Sequence, residues 1–153
     1  MIKKIRKKVI GLIPCRLNSS RLRQKALLMI DGLPLIIHTL KRVQMCKELS
    51  EVIVCTDSII IQKLVKKHKG KCILTKKNHK TGTDRIAEVS RKLKYDIVVD
   101  IQGDFPFVGQ SLSMFERMFK AIDLPKSKMF VLSFCLSKQN KQFLSNENDY
   151  TDL

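Results

Sequence analysis

Tryptophan is absent from this 153-residue chain, aromatic residues make up only 6%, and acidic side chains number 14 against 30 lysines and arginines. A net charge of +16 is, taken alone, the electrostatic footprint of a nucleic-acid-binding protein. The aromatics are not interleaved with the cations, however, as base stacking would require. Much of the excess is lysine on predicted helix surfaces and their flanks, as in Lys63, Lys66, Lys67, Lys69 and Lys71. A solvated basic surface therefore accounts for the charge, and nucleic acid is not the expected partner. Long apolar runs are missing too: Val52 to Cys55 and Ile97 to Val99 fall far short of the roughly 20 residues that span a bilayer. No membrane partner is expected. The basic start, Met1 to Lys8, leads into an apolar stretch that stops at Pro14 and Arg16 without a small-residue cleavage site, so it reads as the approach to a first strand and not as a signal peptide. Five cysteines (Cys15, Cys46, Cys55, Cys72, Cys135) are odd in number and contain no C-x-x-C pair, which argues against a disulfide framework and a zinc site and fits a reducing cytoplasm.

With 44% hydrophobic residues the chain is long enough for one domain with a real core. Apolar runs of strand length alternate with segments of helical period, the order that produces an α/β fold with a mostly parallel, Rossmann-like sheet in a three-layer α/β/α arrangement. Strands are expected at Val9 to Ile13, Glu51 to Thr56, Lys71 to Thr75, Asp96 to Ile101 and Met129 to Leu136. Helices are expected from Pro34, at a first helical position after an Asp31-Gly32 turn, to about Lys47; from a cap at Asp57 or Ser58 to a stop at Gly70; from Thr83 to about Lys94; and over about Ser111 to Ile122. Residues 1–136 form the expected domain. The almost entirely polar residues 137–153 read as a loop, a tail, or a lead-in to further structure.

In open parallel sheets ligands bind beyond the carboxyl ends of the strands. Three loops there are chemically unusual. Pro14 to Lys25 packs Arg16, Arg21, Arg23 and Lys25 with the hydroxyls of Ser19 and Ser20. Such a loop can wrap a polyphosphate with charge-assisted bonds, or it is a solvated charge run. Gln102-Gly103-Asp104 follows the strand expected to be the most buried: the Asp104 carboxylate suits Mg²⁺, or it opens a turn before Pro106. His79 to Arg85 places hydroxyls and Arg85 at a helix start, either to meet anions or as a plain N-cap. Neither the G-x-x-x-x-G-K-[ST] loop, nor G-x-G-x-x-G, nor a G-x-S-x-G elbow occurs, and His38, His68 and His79 lack metal-ligand spacing. His38 reads as a helix-surface or packing residue. The cysteines read as core residues, Cys15 alone lying beside the basic loop.

Together these segments resemble the bacterial 3-deoxy-manno-octulosonate (Kdo) cytidylyltransferase family. Ile13 to Leu27 is similar to its I-P-A-R-x-x-S-x-R-L-P-G-K-P-L, Asp31 to Ile36 to its I-x-G-K-P-M-I, and Val54-Cys55-Thr56-Asp57 to its V-A-T-D. His79 to Glu88 is similar to H-x-S-G-T-E/D-R-x-A-E, and Gln102 to Pro106 to Q-G-D-E-P. The likeness covers roughly residues 8 to 136. It implies a nucleotidyltransferase domain that gives CMP-sugar and pyrophosphate from CTP and an acidic 2-keto sugar with Mg²⁺, for lipopolysaccharide or surface-polysaccharide synthesis. Carried over by position, Arg16, Arg21 and Lys25 contact the triphosphate, with Pro14, Cys15 and Ser19 beside them. Arg85 and Gln102 line the nucleotide and sugar pocket, and Asp104 binds Mg²⁺. Lys25, Asp104 and Arg16 are the implied catalytic residues.

Two departures stand out. Arg23-Gln24 replaces Pro-Gly before the lysine, removing a residue that permits positive φ, and Phe105 replaces an acidic residue. Family members also continue well past the equivalent of Leu136, with a further metal-binding aspartate, sugar contacts and a dimer-forming portion. The resemblance thus leaves two forms of the protein open: an enzyme that works as a homodimer or with a complementing C-terminal polypeptide, and a chain that binds nucleotide without completing the reaction. A CMP-nonulosonate synthetase, or a basic nucleic-acid-binding protein, is the remaining alternative.

Overall fold

The computed structural model describes residues 8–18, 23–103 and 130–134. The expected helix over 111–122, the polar segment 137–153, Cys135, Ser19, Arg21, Asp104 and Phe105 lie outside them. Strands β1 (Val9–Cys15), β4 (Glu51–Thr56), β5 (Lys71–Leu74), β6 (Ile97–Ile101) and β7 (Phe130–Phe134) form one sheet in the order β5-β4-β1-β6-β7. Every pairing in it is parallel. A short hairpin, β2 (Met29–Ile30) with β3 (Leu33–Pro34), precedes α1 (Leu35–Gln44); α2 (Ile59–Lys67) and α3 (Gly82–Ser90) follow β4 and β5.

The strand period of two sorts side chains to two faces. Val9 and Ile13 of β1, Val52 and Val54 of β4, and Val99 and Ile101 of β6 pack with Ile36, Ile37, Leu40 and Val43 of α1 and Ile61 and Val65 of α2. Ile10, Leu12, Ile53, Cys55 and Val98 point the other way, onto Ile86 and Val89 of α3. Helices on both faces make the expected three-layer arrangement, with β6 buried throughout its length. Burial pushes the thiol of Cys55 up to about 12 and that of Cys72 to about 11, so both are neutral packing groups at ordinary pH.

Several boundaries differ from expectation for local reasons. Pro34 is the N-cap of α1 and not its first residue, because it ends the hairpin. Asp31 (φ 45) and Gly32 (φ 75) both adopt positive φ, the pairing a two-residue type I′ turn needs. His38 secures that hairpin, its Nε2 lying 2.6 Å from the Ile30 carbonyl. Ser58, not Asp57, caps α2, accepting from Ile61 N. Helix α2 stops at Lys67, and the left-handed residue of its C-terminal cap is Lys69 (φ 60) instead of Gly70. Lys69 N donates to Lys66 O and Gly70 N to Val65 O, each at 2.9 Å, the paired bonds of a Schellman motif. Gly70 is required for a different reason: a Cβ there would lie 2.4 Å from Leu40 Cδ2. Helices α1 and α3 end about three or four residues earlier than their periodicity suggests. Each finishes in i→i+3 turns, Cys46 N to Val43 O at 3.0 Å and Leu93 N to Ser90 O at 3.1 Å.

Strand β1 runs two residues beyond its expected end. It pairs with β6 only from Val9 to Leu12 but with β4 as far as Cys15. Pro14, which has no N–H to donate, is tolerated because the neighbour on the β6 side has already gone. The chain leaves β1 toward β4 and β5 and returns on the other side as β6, so this divergence is a topological switch point, where open α/β sheets bind ligands.

Candidate functional site

A cleft of about 490 Å³ opens at the divergence of β1 and β6. Pro14, Cys15, Arg16 and Asn18 form one side as β1 ends; Lys25 and Ala26, from a 3₁₀ turn at Lys25–Leu27, form another. Leu35, Gly82, Arg85, Gln102 and Gly103 complete it. Six of the residues expected from sequence, Pro14, Cys15, Arg16, Lys25, Arg85 and Gln102, thus border one cavity, while Ser19, Arg21 and Asp104 lie outside the described residues. Asn18, Gly82, Ala26 and Leu35 were not singled out as site residues; their side chains carry no charge, and only the fold brings them to the cavity.

Backbone packing holds the walls together. A Cβ at Gly82 would come within 3.2 Å of Pro14 Cγ, and one at Gly103 within 3.0 Å of the Pro14 carbonyl oxygen. Gly103 therefore serves the close approach of two loops. Thr39 of α1 donates to the Gly103 carbonyl at 3.1 Å and fixes the end of β6 from the opposite layer. The Pro-Gly to Arg23-Gln24 departure changes the path less than its chemistry suggests, because Gln24 itself adopts the left-handed conformation (φ 55, ψ 28). Its N–H donates to Leu17 O at 3.1 Å and its carbonyl accepts from Leu27 N at 2.8 Å, setting up the turn that presents Lys25.

The charged residues have specific partners. Arg16 donates from Nη2 to the His79 carbonyl at 2.6 Å. Arg85 forms part of the cleft floor yet has no exposed surface. Its Nη2 pairs with Asp57 Oδ2 at 2.8 Å and its Nη1 with the Thr75 hydroxyl, and its Nε has no hydrogen-bond partner among the described residues. Arg85 thus ties the ends of β4 and β5 to α3, a role that precedes any contact with a bound molecule. Nothing local to Asp57, a cap candidate at the end of the V-A-T-D-like segment, marks a partner 28 residues away. At the start of α3, Thr81 and Asp84 form a reciprocal capping box, and those bonds, with the positive charge of His79 and Arg16 nearby, lower the Asp84 pKa.

Asp100 is the other carboxylate that sequence did not flag. It sits in β6 between apolar neighbours, fully buried, with Oδ2 unpartnered among the described residues and Oδ1 3.5 Å from Gln102 Nε2. Desolvation raises its pKa to about 6, against a smaller lowering by the Thr83 hydroxyl. Its signal was present as a charge inside the apolar run Ile97 to Ile101, but nothing in the sequence says which face it occupies.

A parallel α/β sheet with a basic cleft at its switch point is the architecture of a nucleotide-binding domain, and its structural neighbours are nucleotidyltransferases. The structure of CMP:2-keto-3-deoxy-manno-octonic acid synthetase complexed with CTP superposes with a TM-score of 0.70 at 37% identity, over 77% of this chain and 50% of that one. A nucleotidyl transferase from Methanothermobacter thermautotroptrophicus shares the fold with a TM-score of 0.63 at 19% identity, over 76% and 58%. The family model for cytidylyltransferase matches residues 10–143, and the chain belongs to that family. Among curated relatives, the 3-deoxy-manno-octulosonate cytidylyltransferase of Geotalea daltonii is 40% identical over 69% of this chain and 42% of its own length. That of Pelobacter propionicus is 37% identical over 81% and 48%, and that of Escherichia coli 41% over 66% and 41%. The chain spans less than half the length of these relatives. Among the described residues no helix is long and apolar enough to cross a membrane.

Proposed function

We propose that this chain carries the nucleotide-binding part of an enzyme that transfers CMP from CTP to an acidic 2-keto sugar of the Kdo kind, releasing pyrophosphate. The observation that carries the reading is the cleft between β1 and β6, walled by Arg16 and Lys25, in a chain 37% identical to a synthetase complexed with CTP. In such a reaction a sugar hydroxyl forms a bond to the α-phosphorus as the bond to the pyrophosphate oxygen breaks. Most of the protein's contribution is alignment and neutralisation of phosphate charge. Arg16 offers a planar fork and Lys25 a point charge for the triphosphate, with Ser19 and Arg21 of the same loop as further donors. Gln102, whose amide borders the cleft, is suited to read a base or sugar edge. Arg85 holds the strand ends on which these groups stand.

Mg²⁺ fits this donor set. The ion is typically held by one or two carboxylates plus substrate phosphates. Gly103 lines the cleft, and the next residue along the chain, Asp104, supplies the carboxylate. Asp100 is fully buried in β6 and does not line the cleft. The ion would supply neutralisation of phosphate charge.

Calorimetric titration with CTP and Mg²⁺, followed by a pyrophosphate-release assay with Kdo, tests the proposal. Lys25→Ala is expected to weaken CTP binding by about tenfold or more, the scale of one lost charge-assisted contact. Asp104→Ala should chiefly abolish the Mg²⁺ dependence. Binding without pyrophosphate release would identify a nucleotide-binding part that needs its complement for turnover. If neither substitution alters CTP binding or turnover, the assignment of this cleft is wrong.

A further inference from the structure

Behind the cleft lies a set of contacts that the proposed reaction does not use directly. The His79 carbonyl that accepts from Arg16 belongs to a residue whose ring is itself fastened: His79 Nε2 lies 2.6 Å from Glu88 Oε2, with only 16% and 15% of the two side chains exposed. The same Glu88 oxygen accepts the backbone N–H of Lys76 at 3.0 Å, and Oε1 accepts from Lys92 Nζ at 2.8 Å. Glu88, on rigid helix α3, therefore grips the segment between β5 and α3 at both Lys76 and His79. These three bonds, that from Lys92 foremost, hold the Glu88 carboxyl down at about 2, so it is fully ionised at neutral pH.

We propose that Glu88 and His79 are positioning residues for Arg16: Glu88 fixes the loop, and the His79 carbonyl then holds one guanidinium N–H so that the remaining donors are presented to an anionic nucleotide. The proposal rests on the reading that Arg16 meets phosphate in this cleft. An arginine side chain loses rotamer entropy when a ligand orders it, and restraining it before binding removes part of that cost from association. A guanidinium has five N–H donors, so the bond to His79 leaves enough for a phosphate. Without Glu88 the carbonyl would be displaced with its loop, and Arg16 would have to be ordered by the ligand itself.

A double-mutant cycle on the intact chain, read by calorimetry with CTP and Mg²⁺, tests this. Glu88→Ala is expected to weaken CTP binding about fivefold, and Arg16→Ala about tenfold or more. The double variant should then be no weaker than Arg16→Ala alone, because the first change acts only through the second residue. Glu88→Gln, which keeps the shape and the acceptor oxygen, should lose no more than about twofold, and thermal melts monitored by circular dichroism confirm that each variant is folded. Should Glu88→Ala not fold, the same cycle run with His79→Ala, which removes the ring that Glu88 holds, in place of Glu88→Ala decides the question. A wild-type chain that binds CTP while the two losses multiply would overturn the positioning role and leave the nucleotide reading intact. No binding by the wild-type chain would overturn both.

Discussion

Replacing Asp100 by asparagine should stabilise the protein near neutral pH and do nothing in acid. The carboxyl is completely buried in β6 and its pKa rises from 3.8 to about 6, principally by desolvation. The folded state thus holds the proton more tightly than the unfolded chain does. Below about pH 3.8 both states are protonated and the group is neutral in its effect; as the pH climbs through the interval to 6 the folded state is progressively penalised, and above 6 the penalty is constant. A separation of about two pH units corresponds to roughly 3 kcal/mol. Asparagine keeps the shape and an acceptor for Gln102, and the bond from Thr83 is already counted in the net shift. The expected gain is therefore about 3 kcal/mol at pH 7.5, or a melting temperature higher by about 6–12 °C for a chain of this size. Urea unfolding of both proteins at half-unit steps from pH 3.5 to 8 measures the difference at each pH. Effects of other titrating groups, Glu88 and Glu51 among them, are common to both proteins and cancel. A difference that is the same at every pH, or a variant less stable at pH 7.5, would refute the buried-charge account.

Gln24→Gly should stabilise by about 0.5–1 kcal/mol, because Gln24 occupies the left-handed region at φ 55, and urea midpoints check it. Lys69→Gly, at φ 60 in the C-terminal cap of α2, should give a gain of similar size. Gly70→Ala, one residue on, should instead destabilise, since its Cβ meets Leu40 and Val65 within 2.8 Å. Arg85→Met should cost about 3–5 kcal/mol in the same assay, leaving Asp57 without its buried partner; the double variant Arg85→Met, Asp57→Leu should recover much of that loss.

The sheet was legible because each buried strand is written locally. Val52 to Cys55 and Ile97 to Val99 are continuous apolar runs of strand length, and Glu51–Thr56 begins and ends where its composition says. The three chemically unusual loops were legible too, since polar residues gathered at the carboxyl ends of parallel strands must face the same side of the sheet. What escaped has two physical causes. Positive φ is announced by glycine, and here Gln24 and Lys69 take it, so the turn before Lys25 and the cap after α2 carry no compositional mark. Long-range polar pairing is not announced at all: Asp57 with Arg85, Glu88 with His79, and Arg16 with the His79 carbonyl join residues whose local context is unremarked.

The second cause bears directly on function. Read along the chain, Arg16, Arg85 and Glu88 are three charged residues of equal standing. In the fold they differ in kind: Arg16 keeps partial exposure beside the cleft, Arg85 is sealed beneath it on Asp57, and Glu88 works from behind through a loop. Charge that must respond to a ligand has to remain reachable by it, whereas charge that only holds the frame is better buried and paired. The proposed phosphate contacts, Arg16 and Lys25, meet that criterion in being partly exposed at the border of the cleft. The packing of Gly82 and Gly103 against Pro14 then makes the cleft a single unit: displacing any one of its three loops displaces the other two.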